Sequence, residues 1–230
     1  MITERSENGV RMGLIAVGDI HGCSRTLKAL LKALSLGAED HLVFLGDYVD
    51  RGPDTRGVIQ QLIALSEQVN CTFLRGNHEQ AMLDWLSGQW GTYWLHYGGE
   101  ETLQSYMQGG KMDLPATHLS FLQSTTLYLD TPEFFFVHAG LRPDRTVREN
   151  IRHAEAEVFL HYRGHLRAAV PLWEKCVVFG HTPHSVPILT DRMIGIDTGC
   201  VFPERPGLGR LTAVRLPERE VVAVANQESR

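Results

Sequence analysis

The sequence predicts an α/β fold of two packed β-sheets flanked by helices. Three observations predict it. Buried-strand patterns alternate with amphipathic helical patterns through the first half, which calls for a largely parallel sheet. Short apolar runs dominate the second half, which calls for further strands. Five of the apolar runs end in glycine-bearing turns rich in acids, amides and histidines. In open α/β sheets such turns meet beyond the carboxyl ends of the strands, where ligands bind.

The elements follow in chain order. "LIAV" (14–17) is a buried strand. A helix follows it, with Leu27, Leu30, Leu31 and Leu34 at helical spacing, Ser24 as the expected N-cap and Gly37 as the expected stop. "HLVFLG" (41–46) is a second strand, and residues 53–69 form a helix with Pro53 and Asp54 at its start. "CTFLRG" (71–76) is a third strand, and "EQAMLDWLS" opens another helix. Residues of about 88–128 differ in composition, with Trp90, Tyr93, Trp94, Tyr97 and Tyr106 among glycines and polar residues. They read as a helical cap over one rim, its aromatics packing the cap's core or lining a substrate groove. Strands then dominate at 134–140, 175–181, 193–199, 209–216 and 220–225, interrupted by one helical stretch at about 146–170.

The whole chain sets bounds. Its 230 residues are enough for a real core, and 43% hydrophobic with 21% charged residues is the composition of a folded globular chain. Residues 1–12 are charged and lack an apolar core, so they read as a flexible tail, or a leader before a start near Met12, and not as a signal peptide. Residues 13–230 read as a single domain. The net charge of -5 argues against bulk nucleic-acid binding, and no apolar run approaches membrane-spanning length. Cys23, Cys71, Cys176 and Cys200 form no CxxC pair and read as small buried hydrophobes in a reduced, cytoplasmic setting. No obligate partner is evident.

The five turns lie in "LIAVGDIHG" (14–22), "LVFLGDYVDRG" (42–52), "TFLRGNHE" (72–79), "FFFVHAG" (134–140) and "VVFGHT" (177–182). Asp19, His21, Asp47, Asn77, His138 and His181 supply oxygen and imidazole donors without thiolates. That set suits manganese, iron or zinc in a hydrolytic site. Six donors exceed what one catalytic ion with an open position needs. They suit two divalent ions sharing a carboxylate, with Asp47 as the natural bridge, which is a clamp for in-line displacement at phosphorus. "GNHE" has a plainer reading as a helix start, with Asn77 as N-cap and Glu79 in the first turn.

"GDIHG", "GDYVDRG", "GNHE", "HAG" and "GHT", in that order, resemble the metal-dependent phosphoprotein phosphatases of the calcineurin-like metallophosphoesterases, and "WLHYGGEETLQSYM" (94–107) looks like their bacterial branch. The resemblance spans about residues 14–200. It implies a four-layer αββα sandwich of two mixed sheets. It implies Asp19, His21 and Asp47 on one metal, and Asp47, Asn77, His138 and His181 on the other, with manganese the leading metal. It implies His78 as general acid, oriented and kept protonated by Asp50, and phosphate binding by Arg51 and Asn77. A second phosphate-binding arginine is expected in a helix after "HAG"; Arg163 takes that place, with Arg142 as rival. The implied function is a serine/threonine protein phosphatase, with activity on phosphotyrosine also open, acting on phosphoproteins through a metal-bridging hydroxide. Two alternatives stand beside it. One is a symmetrical dinucleoside polyphosphate hydrolase, which usually lacks the Asp-Arg pair and carries "GNHD"; Asp50 and Glu79 weigh against it. The other is a non-enzymatic scaffold, which the retained ligands weigh against.

Overall fold

The computed structural model describes residues 13–89 and 92–228. The expected tail at 1–12 and Trp90 lie outside the described residues.

The first sheet has the order β12-β11-β1-β2-β3. β1 (Leu14–Val17), β2 (His41–Phe44) and β3 (Asn70–Phe73) run parallel, while β11 (Arg210–Leu216) pairs antiparallel with both β1 and β12 (Glu220–Ala225). The second sheet has the order β6-β7-β8-β10-β9. Here β7 (Phe134–Val137), β8 (Cys176–Phe179) and β10 (Met193–Gly195) are parallel, with β6 (Tyr128–Asp130) and β9 (Ile188–Leu189) antiparallel at the edges. Both sheets are mixed.

Strand alternation explains the layers. Successive side chains point to opposite faces of a sheet. Ala16, Val43, Phe134, Phe136, Val178 and Val214 face the interior between the two sheets. Their neighbours Ile15, Val17, Leu42 and Phe44 pack outward with Leu27, Leu30, Val58 and Leu62 of α1 (Ser24–Leu34) and α2 (Thr55–Ser66). Phe135, Val137, Val177 and Phe179 pack outward with Val147 of α6 (Val147–His153) and Phe159 of α7 (Ala156–His161). Both faces of each sheet are therefore apolar, and the architecture is the expected αββα sandwich. Each fully buried phenylalanine contributes roughly 1.5–3 kcal/mol to holding the layers together.

Several local expectations are corrected. Ser24 is the first residue of α1 rather than its cap; Cys23 precedes it, and Ser24 Oγ donates instead to Asp54 at 2.6 Å. Asp54 then caps α2 by accepting from Gly57 N. α1 stops at Leu34, because Ser35 enters the left-handed region at φ 48°, so Gly37 is not the stop. The stretch 146–170 is α6, α7 and a short 3-10 turn at Gly164–Arg167, not one helix. The strand expected at 193–199 ends at Gly195, which leaves Asp197 in a loop.

Residues 88–128 hold a π-helical turn at Leu95–Gly99, α4 (Glu100–Tyr106), a hairpin of β4 (Met107–Gln108) and β5 (Lys111–Met112), and α5 (Ala116–Ser124). They follow α3 (Asn77–Leu86). Phe121 and Leu122 of α5 join the first sheet's outer core, while Trp94, the π-turn and the start of α4 reach the rim.

Candidate active site

All five turns converge on one rim of the sandwich, as the sheet topology requires. Asp19, His21, Asp47, Asn77, His138 and His181 are all buried. Two triads gather there: His21, Asp47 and His78, and Asp47, His138 and His181, each with donor atoms within 4.8 Å of one another. Asp47 is common to both. Its Oδ2 lies 3.5 Å from His21 Nε2 and its Oδ1 3.4 Å from His138 Nε2. His138 Nε2 also meets Asn77 Oδ1 at 3.0 Å and His181 Nδ1 at 3.1 Å. Asp19 sits differently: its carboxylate accepts from His181 N at 3.0 and 3.1 Å and falls outside both triads.

The tautomers follow from the outer hydrogen bonds. His21 Nδ1 donates to Val49 O and His138 Nδ1 to Leu45 O, both at 2.8 Å. Each Nε2 therefore presents a lone pair to the rim. Burial pushes His21 down, with Arg51 adding to it, and takes His138 down to about 4, so both are neutral near pH 7. Burial pushes Asp47 up to about 7, and burial with Asp197 and Asp47 raises Asp19 well above the usual carboxylate range. Carboxylates that repel one another, beside imidazole lone pairs, make a donor set that fits divalent cations.

The backbone at the rim is strained. Among the described residues seven non-glycine positions have positive φ, and five belong here: His21, Asp47, Asp50, Arg51 and His181. Such conformations cost about 1–3 kcal/mol each and persist only where surroundings dictate them. Glu79 is one source of that control. Its Oε2 accepts from Asp47 N and Gly76 N at 2.8 Å, and its Oε1 from Tyr48 N at 2.7 Å and Val49 N at 3.2 Å. One carboxylate thus pins the loop carrying Asp47 to the start of α3. Burial and then Asp47 push it up to about 7, against the N–H groups that favour its ionised form. Tyr48 and Val49 are fully buried, and Tyr48 Oη donates to Leu74 O at 2.6 Å. Gly46 (φ 103°) is obligatory, since a Cβ there would lie 2.6 Å from Gly76 N.

The N-cap of α3 is Gly76, not Asn77, which frees the Asn77 side chain for the site. Asn77 Nδ2 donates to Tyr97 Oη at 3.3 Å, and this fixes the amide with Oδ1 facing His138. The Tyr97 ring stacks on His78 at 4.5 Å. His78 Nδ1 lies 2.7 Å from Asp50 Oδ2. Asp50 is held in turn by Trp94 Nε1 at 2.9 Å and Thr102 Oγ1 at 2.9 Å. Asp50 is a member of neither triad and meets the first only through His78. Burial lowers His78, with His21 and Arg51 adding to it, and burial raises Asp50. His78 Nε2 has no hydrogen-bond partner among the described residues.

Arg51 Nη1 donates to His21 Nε2 at 2.7 Å, and its guanidinium lies 5.5 and 5.6 Å from the Tyr97 and Phe202 ring centres. A cleft of about 420 Å³ opens here, lined by Arg51, His96, Tyr97, Arg163, His181, Phe202 and Arg205 among others. Arg163 faces it; Arg142 instead stacks over Tyr162 at 5.7 Å and does not line it. Asp197 caps its own turn by accepting from Gly199 N at 2.8 Å.

Sequence reasoning missed Trp94, Tyr97 and Thr102 as individual supports, and Glu79 as the loop's anchor. Their signal was present only as an aromatic-rich cap and an acid in a helix's first turn. His165 is fully buried with neither ring nitrogen partnered among the described residues, packed under Gly140.

The fold and the rim define a calcineurin-like metallophosphoesterase. A family model of that description, calcineurin-like phosphoesterase, matches residues 12–205, and the chain belongs to this family. It is a phosphoesterase, a hydrolase of a family that uses divalent metal ions. Among individual relatives, the Bacillus subtilis (strain 168) protein named bis(5'-nucleosyl)-tetraphosphatase PrpE, asymmetrical, is 31% identical over 90% of this chain and 92% of its own length. A crystal structure provisionally named a diadenosine tetraphosphatase superposes with TM-score 0.70 at 26% identity, covering 96% of each chain. A cold-active protein-tyrosine phosphatase from a psychrophilic Shewanella superposes with TM-score 0.62 at 16% identity, covering 94% of this chain and 80% of that one, a likeness of fold alone. The two more similar of these proteins carry tetraphosphatase names, the first of them specified as asymmetrical and not symmetrical. No described helix is long and apolar enough to cross a membrane.

Proposed function

We propose that this protein hydrolyses dinucleoside tetraphosphates, cleaving asymmetrically to a nucleoside triphosphate and a monophosphate. The observation that carries the reading is the cleft beside the triads. Three guanidiniums, of Arg51, Arg163 and Arg205, share it with the aromatic faces of Tyr97 and Phe202. Guanidiniums suit a run of phosphates, and aromatic faces suit a base. The sequence features that weighed against dinucleotides do not touch this cleft. Glu79 binds only backbone, and Asp50 is buried behind His78, so neither reads a leaving group.

Asp19, His21, Asp47, Asn77, His138 and His181 would hold divalent cations, manganese first with iron or zinc as alternatives, which would supply charge neutralisation and an acidified water. The chain's own residues do the rest. Arg51 and Arg163 grip non-bridging oxygens of the phosphate under attack. For this Arg51 leaves His21 for the cleft, over the Tyr97 and Phe202 faces it already borders. His78 Nε2, which has no partner among the described residues, donates its proton to the departing oxygen. Asp50 fixes the imidazole, and Trp94 and Thr102 fix Asp50.

The test is metal-free protein reconstituted ion by ion and supplied with diadenosine tetraphosphate or a phosphoserine peptide, with products resolved chromatographically. ATP and AMP in equal amounts, with the peptide at least about tenfold poorer in kcat/KM, support the reading. Two ADP, or preferred peptide hydrolysis, overturns it.

A further inference from the structure

A second cleft, of about 370 Å³, lies on the other side of Arg51. Arg51 lines both clefts, so each is one side chain away from the phosphate it would grip. Residues 201–205 form the partition: Phe202 and Arg205 face the catalytic cleft, while Val201, Pro203 and Glu204 face the second. The cap divides likewise, with His96, Tyr97 and Gly98 on the catalytic side and Glu101 and Gln104 on the other. Nothing above gives this second cleft a role.

Its chemistry is the opposite of its neighbour's. Beyond Arg51 it holds no cation and offers Glu101, Glu204 and Glu228, with the amides of Gln104 and Asn226. Carboxylates only accept when ionised, and an amide both donates and accepts. Such walls repel phosphate and suit a neutral group with N–H and O–H donors. Pro53, Val201 and Pro203 add apolar surface. The geometry is preformed: Glu228 Oε1 accepts from Thr26 N at 3.0 Å and Thr26 Oγ1 at 3.1 Å, and Asn226 Nδ2 donates to Cys200 O at 2.8 Å. Glu101 and Gln104 line the cleft from α4, where both can meet a ligand.

We infer that this second cleft binds the nucleoside at the far end of a dinucleoside polyphosphate, taking the ribose hydroxyls or the base N–H groups on Glu101 and Gln104. This rests on the dinucleotide reading. It makes the enzyme discriminate a doubly capped polyphosphate from one with a free end.

The experiment measures kcat and KM for diadenosine tetraphosphate, adenosine 5'-tetraphosphate, p-nitrophenyl phosphate and a basic phosphoserine peptide. The variants are Glu101→Gln and Gln104→Trp, the second filling the cleft from an exposed position, each checked by thermal melting. The expected result is a rise of about tenfold in KM for diadenosine tetraphosphate, with the other three substrates within about twofold. An unchanged KM for diadenosine tetraphosphate in Gln104→Trp, an equal loss on all substrates, or a loss confined to the peptide overturns the inference. A wild-type enzyme that cleaves p-nitrophenyl phosphate but no diadenosine tetraphosphate overturns the parent reading instead, and this one with it.

Discussion

Glu79→Asp separates an architectural role from a substrate-reading one. The Glu79 carboxylate accepts four backbone N–H groups, from Asp47, Gly76, Tyr48 and Val49, at 2.7–3.2 Å. Removing one methylene withdraws the carboxylate by about 1.5 Å, one C–C bond. It can then satisfy one side of the cradle and not both. A hydrogen bond to a charged group contributes roughly 1.5–3 kcal/mol, so losing two costs roughly 3–6 kcal/mol. That is a large part of a typical domain's stability of about 5–15 kcal/mol. The loop released is the one that holds Asp47 at φ 53°, so activity falls with stability. The assay is urea unfolding at fixed metal concentration, paired with kcat/KM for diadenosine tetraphosphate and a phosphoserine peptide. Stability should drop, and both activities should fall together, their ratio constant within about threefold. Unaltered stability, or a ratio moved by more than about tenfold toward the dinucleotide, would refute the argument and restore the fourth residue of "GNHE" as a substrate determinant.

The remaining expectations are narrower. His78→Asn should cost about 10²–10⁴-fold on a phosphoserine peptide and far less on p-nitrophenyl phosphate, whose leaving group needs no proton; equal losses in kcat would remove His78 as the proton donor. Arg163→Ala should lower kcat/KM for the dinucleotide by about 10–100-fold, and Arg142→Ala should leave it unchanged; the reverse order would reinstate Arg142. Burial holds His165 down at about 4, against about 6.5 in an unfolded chain. Between those values the unfolded state binds the extra proton, so stability rises with pH across that window and is lost as pH falls. His165→Leu should remove up to about 1.4 kcal/mol per pH unit of that slope in denaturation profiles at pH 4–6.5; a slope identical to wild type would show that His165 does not titrate on unfolding. Thr102→Val removes the hydroxyl that bonds both Asp50 N and Asp50 Oδ1, and should destabilise by about 1–3 kcal/mol with a larger loss on poor leaving groups than on p-nitrophenyl phosphate; uniform loss across substrates would deny the link to His78.

The sequence by itself determined two packed sheets flanked by helices and the residues of the rim. The reason is periodicity: strands apolar on both faces need covering layers, and "GDIHG", "GDYVDRG", "GNHE", "HAG" and "GHT" each follow such a strand. Parallel strands deliver their ends to one edge, so five local patterns become one site without any knowledge of contacts. Asp47 as the shared carboxylate was legible in this way, while Asp50 as the partner of His78 was implied by the family resemblance. What tertiary structure alone decided are pairings between residues distant in sequence. Glu79 reaches back to Tyr48, Trp94 and Thr102 reach Asp50, and Tyr97 couples Asn77 to His78. None of these has a local signature, because a buried tryptophan or a first-turn glutamate looks the same whether it packs or positions. The left-handed backbone at His21, Asp47, Asp50, Arg51 and His181 is likewise invisible in sequence, since non-glycine residues adopt it only when their surroundings force it. The substrate reading changed for the same reason. Asp50 and Glu79, which had weighed between the substrate classes, face inward, and the cap and the 201–205 loop, which no motif marks, line the two clefts beside Arg51.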